Sequence, residues 1–379
     1  PPIRSECRTT HEPEQYEQLK YQFRTSPRDT RIKHPYMKHI WSALSWVEKI
    51  IFIINGGIGV ILLFAYLLPF IPPRYFEYAS LSVFTPILML LNIVFIGIWI
   101  ARGKWIFLFS GILFCIGLPF IHRFVQLPKN NVTSPEQLSV MSFNVRLFNH
   151  YKWSSDTLLR EKILTFVKEE HPKILALQEF YYKEKERLPF YKYKKFIYKH
   201  KKDKIGQAIL SDYPIINSGS LDFPHTGNNG VYADIVVNGD TLRLYSLHFE
   251  SFHIEDTEIS QENSKRIFLK LPRRFAIQQA QVELFNKHAD SCPYPIIICG
   301  DFNNTAFSYL YQKFQDRGWI DSFQECGTGF GSTYDFPYFP FRIDYILADP
   351  YFKITSHKVY NNTPYSDHYP IKATFIKRK

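Results

Sequence analysis

Three long apolar stretches dominate the first third of the chain. No charged residue occurs in residues 50–73, 78–101 or 105–121. A helix needs about 20 apolar residues to cross the hydrocarbon core of a bilayer. The first two stretches provide that length, while the third is marginal at 17 residues. Because only short turns separate them, the pattern predicts three transmembrane helices over 50–71, 79–101 and 105–121, and not the buried core helices of a soluble domain.

The polarity pattern changes at Leu138, where short alternating segments begin and continue to the end of the chain. Residues 138–145 alternate apolar and polar side chains, which is typical of a strand. Further strands are predicted at 173–178, 191–199, 207–210, 231–237, 241–248, 295–300, 341–347 and 371–375, and helices at about 159–167 and 273–288. Many strands with few helices predict the α+β class, with two packed sheets and helices outside them.

These patterns divide the chain into four parts. Residues 1–48 are predicted to be a flexible N-terminal tail, 49–122 a three-helix transmembrane anchor, 123–137 a linker and 138–379 a globular domain. The first methionine is Met37, and one hypothesis is that the native chain starts there.

Composition narrows the class of protein. With 45% hydrophobic and 17% aromatic residues, the chain is neither disordered nor collagen-like. The five cysteines are scattered without a C-x-x-C pair, so we expect free thiols and no disulfide framework. The net charge is +11, of which residues 135–379 carry only +4. A charge of that size does not by itself indicate nucleic-acid binding.

Basic residues near the ends of the apolar stretches predict the orientation, because cytoplasmic loops are enriched in them. Six lie on the side of the N-terminus and three on the other: Arg31, Lys33, Lys38, Lys49, Arg102 and Lys104 against Arg74, Arg123 and Lys129. The N-terminus is therefore expected in the cytoplasm. After three crossings, the globular domain is expected outside it.

Polar side chains close several of the predicted strands. The motifs are Ser142-Phe143-Asn144, Leu177-Gln178-Glu179, Ser246-Leu247-His248, Gly300-Asp301-Phe302-Asn303, Arg342-Ile343-Asp344 and Ser366-Asp367-His368. Polar groups at strand ends line the crevice where ligands bind. Converging carboxylates stay ionised when they share a cation. Oxygen ligands without cysteine suit Mg²⁺ or Mn²⁺, and the histidines suit proton transfer and stabilisation of charge on phosphate oxygens.

These motifs, together with Gly206-Gln-Ala-Ile-Leu-Ser-Asp-Tyr-Pro-Ile215, resemble those of the endonuclease/exonuclease/phosphatase superfamily. That superfamily includes pancreatic-type deoxyribonucleases, abasic-site endonucleases, neutral sphingomyelinases and inositol polyphosphate 5-phosphatases. The resemblance covers residues 138–377. It implies a four-layered α/β sandwich and metal-dependent hydrolysis of phosphoric esters.

The resemblance also implies a role for each acidic and amide residue of the motifs. Glu179 matches the metal-binding glutamate, Asn144 the asparagine that supports the metal, and Asp367 a second metal-associated acid. Asp301 matches the aspartate that positions or deprotonates the attacking water. Asn303 matches the asparagine that holds the phosphate.

Two histidines complete the implied site. His368 matches the histidine that contacts the phosphate in the transition state, and Asp344 matches the carboxylate that orients it. A second reading makes Asp344 a structural partner of Arg342. His248 matches the phosphate-facing histidine of the deoxyribonuclease and sphingomyelinase branches. Abasic-site enzymes usually have a tyrosine there, which argues against an abasic-site repair enzyme.

A basic run is interleaved with aromatic residues at the third predicted strand. It comprises Lys192, Lys194, Lys195, Lys199, Lys201, Lys202 and Lys204, with Tyr191, Tyr193, Phe196 and Tyr198 between them. Three interpretations stay open: an edge strand protected by lysines, a patch for nucleic-acid phosphates, or a surface for anionic lipid headgroups.

The leading hypothesis is an integral, multi-pass membrane hydrolase that uses Mg²⁺ or Mn²⁺. Its substrate is a phosphodiester of nucleic acid, a phospholipid headgroup or a small molecule, attacked in line by water. No obligate protein partner is evident. The alternatives are a catalytically silent, membrane-tethered binding or scaffold protein with the same fold, and a transporter with a regulatory domain. The apolar stretches contain no charged residue, which opposes transport.

Overall fold

The structure, a computed structural model, describes residues 41–128, 137–200, 202–252, 261–337 and 339–378. Most of the predicted tail with Met37, most of the predicted linker, and Lys201 of the basic run lie outside these residues. The chain divides into two compact units, Pro1–Ile54 and Asn55–Lys379, and the boundary falls within the first long helix. The contacts described below all belong to the second unit.

The apolar stretches form helices. Helix α1 spans Trp46–Leu67 and α2 spans Thr85–Ala101, and 3₁₀ turns at Leu68–Phe70 and Glu77–Phe84 extend them; α3 spans Phe107–Ile116 and α4 Leu118–Phe124. Trp46–Phe70 and Glu77–Ala101 are each long and apolar enough to cross a membrane. The pair α3 and α4 is bent by 67°. The count of possible spans is therefore two, or three if the bent pair is one span.

The bend between α3 and α4 has a local cause. Pro119, in the first turn of α4, has no backbone N–H to continue the α3 hydrogen bonds. Gly117 lies against α1, where an added Cβ would be 2.1 Å from the Tyr66 hydroxyl oxygen. A glycine and a proline at adjacent turns are the usual cause of a sharp kink.

Buried polar side chains join the apolar helices. Asn55 Nδ2 donates to Ser110 Oγ (2.9 Å), and Trp99 Nε1 donates to Asn55 Oδ1 (2.8 Å). Asn92 Nδ2 donates to the carbonyl oxygen of Ser110 (2.8 Å). Hydrogen bonds of this kind hold helices together where their surroundings are apolar. The sequence pattern showed only that these stretches lack charge.

The C-terminal part contains two six-stranded mixed sheets. The first has the order β11-β12-β1-β2-β4-β3 and the second β5-β6-β7-β8-β10-β9. Strands β1 and β2 are parallel, as are β7 and β8, and the other pairs are antiparallel. The strands are β1 Leu138–Asn144, β2 Ile174–Tyr181, β3 Tyr193–Ile197, β4 Ile205–Ser211, β5 Ile215–Ser220, β6 Gly230–Val237, β7 Asp240–His248, β8 Ile296–Asp301, β9 Ile320–Asp321, β10 Asp344–Ala348, β11 Phe352–Val359 and β12 Ile371–Lys377.

The sheets pack face to face with helices outside. The central core draws apolar side chains from both sheets, such as Val140 and Ile209 from one and Leu244 and Ile297 from the other. Helix α5, Leu159–Glu170, covers the outer face of the first sheet. Helices α6 and α7 cover the second, and a short α8 follows them; they span Gln261–Asp290, Tyr309–Gln315 and Ser322–Cys326. The predicted α+β, four-layered sandwich is confirmed.

Strand β3 lies at the edge of the first sheet and pairs only with β4 among the described strands. This position matches the first interpretation of the basic run, a strand edge carrying lysines. Lys199, just beyond the strand, donates to the carbonyl oxygens of Phe223 and Thr226.

The sandwich contacts the apolar helices directly. Phe307, from the loop after β8, joins an apolar cluster and stacks on Phe120 with ring centroids 6.3 Å apart. Arg123, at the end of α4, donates from Nη2 to Gln312 Oε1 (2.8 Å) and from Nη1 to the carbonyl oxygen of Ala306 (3.2 Å). The other members of the cluster are Leu62, Tyr66, Met89 and Leu113. We call this set of interactions the helix–sandwich contact.

Candidate active site

The polar ends of strands from both sheets meet in one pocket. Asn144 ends β1, His248 ends β7 and Asp301 ends β8, while Glu179 lies near the end of β2. Asn144 Nδ2 lies 3.2 Å from Glu179 Oε1 and 3.1 Å from Asp301 Oδ2. One amide group therefore holds together a carboxylate from each sheet.

A backbone irregularity aims Glu179 into this pocket. The pairing of β2 with β4 shifts register between Leu177 and Phe180. Glu179 itself has φ +49°, a left-handed conformation that is uncommon for a residue other than glycine. Bulges of this kind redirect a side chain and occur next to active sites. Burial raises the pKa of Glu179, in part opposed by the hydrogen bond from Asn144.

Asp301 depends on the glycine before it. Gly300 has φ +137°, and an added Cβ would lie 2.0 Å from the carbonyl oxygen of Leu247 on the neighbouring strand. Only glycine lets β8 approach β7 so closely just before the carboxylate. Asn303 then donates to Asp301 twice, from its backbone N to Oδ1 (2.8 Å) and from Nδ2 to Oδ2 (3.2 Å). Burial raises the pKa of Asp301 to about 6.

His368 lies between two carboxylates. Its Nδ1 is 3.0 Å from Asp344 Oδ2, and its Nε2 is 3.5 Å from Asp301 Oδ2. Asp344 is directly opposite Asp301 in the pairing of β8 with β10. Burial alone would lower the pKa of His368, but the carboxylates of Asp344 and Asp301 raise it well above its ordinary value. The two carboxylates thus favour the protonated ring, in which Nδ1–H donates to Asp344.

His248 and Asp367 complete the set. His248 Nε2 lies 3.6 Å from Asp301 Oδ2 and 4.0 Å from Glu179 Oε1. Asp367 Oδ2 forms an ion pair with Arg146 Nη1 at 3.3 Å. The pocket thus brings together the residues named from the sequence: Asn144, Glu179, His248, Asp301, Asn303, Asp344, Asp367 and His368.

Asp344 and Arg342 have different partners. Arg342 Nη1 donates to Asp321 Oδ2 (2.8 Å), and its Nη2 donates to the carbonyl oxygen of Arg123 (3.0 Å). Asp344 instead holds His368 and receives no ion pair from Arg342. The structural reading of Asp344 as the partner of Arg342 was therefore wrong.

Sequence reasoning missed three residues around the pocket. Arg146 pairs with Asp367 and packs over Trp153, with its guanidinium carbon 4.6 Å from the ring centroid. Tyr334 places its ring edge on His368, with centroids 5.2 Å apart. Thr333 Oγ1 accepts from the backbone N of Asp344 (3.0 Å). Of these three residues, only Arg146 could have been found from the sequence, because it lies two residues after Asn144. Tyr334 and Thr333 come from a loop without a local signal.

A buried hydrogen-bond network links the two sheets beneath the pocket. Gln178 Nε2 donates to Ser246 Oγ (2.9 Å) and to Ser142 Oγ (3.2 Å). Ser246 Oγ donates to Gln207 Oε1 (2.7 Å). Ser142, Gln178 and Ser246 lie one or two residues before the site residues Asn144, Glu179 and His248, so this network helps to fix the strand ends that carry the site.

The pocket holds more negative than positive charge. Four carboxylates, those of Glu179, Asp301, Asp344 and Asp367, lie beside three groups that can carry positive charge, namely His248, His368 and Arg146. Among the described residues, ligand atoms of Asp301, Asp344 and His368 lie within 4.8 Å of one another and could hold a metal ion. Asp344 and His368 already bond to each other, however. A hard divalent cation bound by oxygen atoms of Glu179 would leave that pair intact and would offset the excess charge.

Comparison with known proteins agrees with this geometry. The model of the Endonuclease/Exonuclease/phosphatase family matches residues 141–368. The model of a domain of unknown function (DUF8431) matches residues 48–124, the apolar helices. None of the curated proteins matches the chain.

Solved structures share the fold at low sequence identity. An endonuclease/exonuclease/phosphatase family protein from Bacteroides thetaiotaomicron has a TM-score of 0.50 and 20% identity, over 65% of this chain and 100% of that one. The human Nocturnin catalytic domain with bound sulfate anion has a TM-score of 0.50 and 16% identity, over 67% and 100%. An endonuclease/exonuclease/phosphatase from Beutenbergia cavernae has 0.50 and 15%, over 64% and 72%.

Proposed function

The chain belongs to the endonuclease/exonuclease/phosphatase family and is a hydrolase of phosphoric esters, and from this premise we propose that it is a membrane-anchored, Mg²⁺-dependent phosphodiesterase. The observation that carries the proposal is the pocket of buried carboxylates with a deficit of positive charge. Such a deficit is what a divalent cation and a cation-bridged phosphate would relieve.

The metal would be held by Glu179, with Asn144 orienting its carboxylate and Asp367 as the second acid. When bound, Mg²⁺ supplies positive charge to the phosphoryl and leaving oxygens. The bulge at Glu179 costs backbone strain, and strain of this kind is retained where it positions a functional group.

Asp301 is the proposed base. Water attacks phosphorus in line with the leaving oxygen and gives its proton to the Asp301 carboxylate. Burial brings the pKa of Asp301 to about 6, which makes it a stronger base at neutral pH than an ordinary aspartate. The two hydrogen bonds from Asn303 hold the carboxylate in one orientation.

His368 is the proposed source of positive charge from the protein itself. Asp344 accepts from its Nδ1, which fixes the ring and leaves Nε2–H to donate to a phosphoryl oxygen. Asn303 would hold the phosphate, and His248, whose Nε2 lies 3.6 Å from Asp301 Oδ2, would also face it.

The contacts of the sandwich with the apolar helices support three membrane crossings. Arg74, between the first two helical segments, donates to Gln279 Oε1 and pairs with Glu283, both at 3.0 Å. Arg123, at the end of the bent segment, donates to Gln312. Both ends therefore lie on the side of the sandwich. Because Arg102 and Lys104 come between them, we infer that residues 107–124 cross the membrane and that the bent pair is a broken span.

The proposed orientation follows from the basic residues: the N-terminus is in the cytoplasm and the catalytic domain is outside it. We also propose the domain bounds given by the pattern, with an anchor at 49–122, a linker at 123–137 and a catalytic domain at 138–379.

The test is hydrolysis of bis(p-nitrophenyl) phosphate by the full chain in detergent, with Mg²⁺ or with EDTA. We expect activity with Mg²⁺ and its loss with EDTA. His368→Gln should lower kcat by at least about 10²-fold. His357→Gln, at a half-buried histidine away from the pocket, is the matched control and should keep activity. Equal rates with Mg²⁺ and EDTA, or a fully active His368→Gln protein, would contradict the proposal.

A further inference from the structure

Two loops that carry residues of the candidate site also touch the apolar helices. The first is the loop after β8. It begins with Asp301 and Asn303 in the pocket, and four residues later Phe307 packs among Tyr66 and Phe120 of the helices. Four residues span at most about 14 Å. The phosphate-binding end of this loop is therefore within that reach of the helix–sandwich contact.

The second loop precedes β10. Tyr334 places its ring edge on His368. From the same loop, Phe330 and Phe339 pack on Phe124, the last residue of α4, with ring centroids 5.1 and 5.6 Å apart. Tyr334 is four residues from Phe330 and five from Phe339. Both loops therefore connect the pocket to the point where the third span leaves the membrane.

With the third span as proposed, this point lies at the depth of lipid headgroups. The headgroup region adds about 5–8 Å to each side of the hydrocarbon core, so the phosphates of lipids lie level with the ends of the spans. Phe330 is 48% exposed and Leu127, three residues beyond Phe124, is 80% exposed. Exposed apolar side chains beside the end of a span form a surface that a membrane would cover.

The helix–sandwich contact also fixes the position of the pocket relative to the apolar helices. Arg123 is held from both directions: it donates to Gln312 and Ala306, and its carbonyl oxygen accepts from Arg342. Gln126 pairs with Gly329 in an isolated bridge. A domain on a flexible linker would reach substrates away from the membrane. The helix–sandwich contact would instead hold this domain at the membrane surface.

We propose that the substrate is a phosphoester carried by a lipid in the same bilayer as the anchor, with the lipid chains left in the membrane and the headgroup phosphate in the pocket. This proposal rests on the proposed function. A bond forms between phosphorus and the oxygen of water, and the ester bond to the leaving oxygen breaks. The proton of water passes to Asp301 and from there to solvent, while the leaving oxygen takes a proton from solvent on the opposite side of phosphorus, so the products are an alcohol and a phosphate monoester.

The test uses the full chain reconstituted in vesicles with Mg²⁺. The probes are phosphatidylcholine, sphingomyelin and phosphatidylinositol 4-phosphate. Each is supplied as a long-chain lipid in the bilayer of the enzyme and as a monomeric short-chain analogue in solution, and oligonucleotides serve as the soluble competitor class. At equal bulk concentration, at least one long-chain lipid should be hydrolysed about 10-fold faster than its analogue and than the oligonucleotides, because sharing a bilayer raises the effective concentration.

A second measurement tests the shared bilayer directly. Diluting the hydrolysed lipid within the bilayer of the enzyme should lower the rate in proportion, while adding enzyme-free vesicles of that lipid should leave the rate unchanged. Faster hydrolysis of the oligonucleotides or of the short-chain analogues would overturn the lipid proposal. Equal hydrolysis of lipid in enzyme-free vesicles would do the same. Either result would leave the proposed phosphodiesterase function standing. Absence of Mg²⁺-dependent hydrolysis of every probe and of bis(p-nitrophenyl) phosphate overturns the proposed function itself.

Discussion

Two clusters of buried charge flank the start of strand β10 and differ in how their charges are balanced. The arginine cluster consists of Arg342, Asp321 and Tyr311. There, Asp321 Oδ2 accepts from Arg342 Nη1 (2.8 Å) and from the Tyr311 hydroxyl (2.5 Å). The carboxylate–histidine cluster contains Asp344, which lies two residues after Arg342, together with Asp301 and His368. Two carboxylates there lie beside one imidazole ring.

The pKa values of the two clusters shift in opposite directions. Burial opposes ionisation of Asp321, yet Arg342 lowers its pKa below the ordinary value. Burial raises the pKa of Asp301 to about 6. The histidine pKa values also shift in opposite directions. Burial lowers the pKa of His357, beside the arginine cluster, to about 4. The carboxylates of Asp344 and Asp301 instead raise the pKa of His368.

The difference teaches that burial of charge alone does not mark a functional site. A buried pair with one cation for each anion is complete and stabilises an arrangement. A buried group with surplus carboxylate is incomplete until something cationic joins it, and this incompleteness is the physical mark of the candidate active site.

The strongest test of this difference between the clusters neutralises one buried aspartate in each of them. Asp301→Asn should lower kcat by about 10³-fold, because the proposed base is lost. Its stability should stay equal or rise, because a carboxylate with a raised pKa is removed from a buried site. Initial rates and thermal unfolding in detergent measure both. Retained activity in a folded Asp301→Asn protein would remove Asp301 from the mechanism.

Asp321→Asn should do the opposite. It leaves Arg342 buried without its carboxylate, which costs about 3 kcal/mol of unfolding free energy. The folded fraction should keep its kcat. Adding Arg342→Met to this variant should recover part of the stability, because the unpaired cation is then gone. A stable Asp321→Asn protein would mean that the arginine cluster does not hold the fold.

Mg²⁺ should act on one cluster only. At 100 times its Kd, the ion should raise the unfolding free energy by about 2.7 kcal/mol, because it offsets the surplus carboxylate charge. Glu179→Gln should remove most of this gain, whereas Asp321→Asn should keep it. Unfolding transitions that coincide in Mg²⁺ and in EDTA would be the contrary result.

The half-buried His357, beside the arginine cluster, provides the smallest and most specific test. The unfolded chain protonates His357 near pH 6.5 and the folded chain near pH 4. Stability from its neutral form is therefore full above pH 6.5 and is lost as the pH falls toward 4, by about 1–2 kcal/mol for a partly exposed ring. His357→Gln should flatten the stability profile in that window. An unchanged acid profile would show that another group controls it.

The sequence allowed much of the site to be predicted because its residues carry local signals. Asp301, His248 and Asn144 each follow an apolar run that reads as a strand, and the resemblance ordered the motifs. The structure brings these residues together, while their catalytic and metal-binding roles stay predictions. Tyr334 and Thr333 had no such signal, because their position depends on pairing across the loop before β10. Gln207 and Gln178 were missed as a network because hydrogen bonds between sheets have no sequence period.

The fold class was confirmed, but several elements were not predicted. Strand β5, Ile215–Ser220, is short and polar, and its pairing with β6 gives it an extended shape that its own residues do not indicate. Helix α6 begins at Gln261, twelve residues before the predicted start, and continues through Pro272. The bend between α3 and α4 was also missed, although Pro119 is a local signal for it; the packing of Tyr66 against Gly117 appears only in the structure.

The helix–sandwich contact has a practical consequence for anyone who expresses this protein. A chain cut at residue 138 would expose Phe307 and Phe339 to water and would remove the carbonyl acceptor of Arg342. Exposed aromatic surface of this kind promotes aggregation, so we expect the truncated protein to be poorly soluble. A soluble version would need polar replacements at those phenylalanines, or a detergent to cover them.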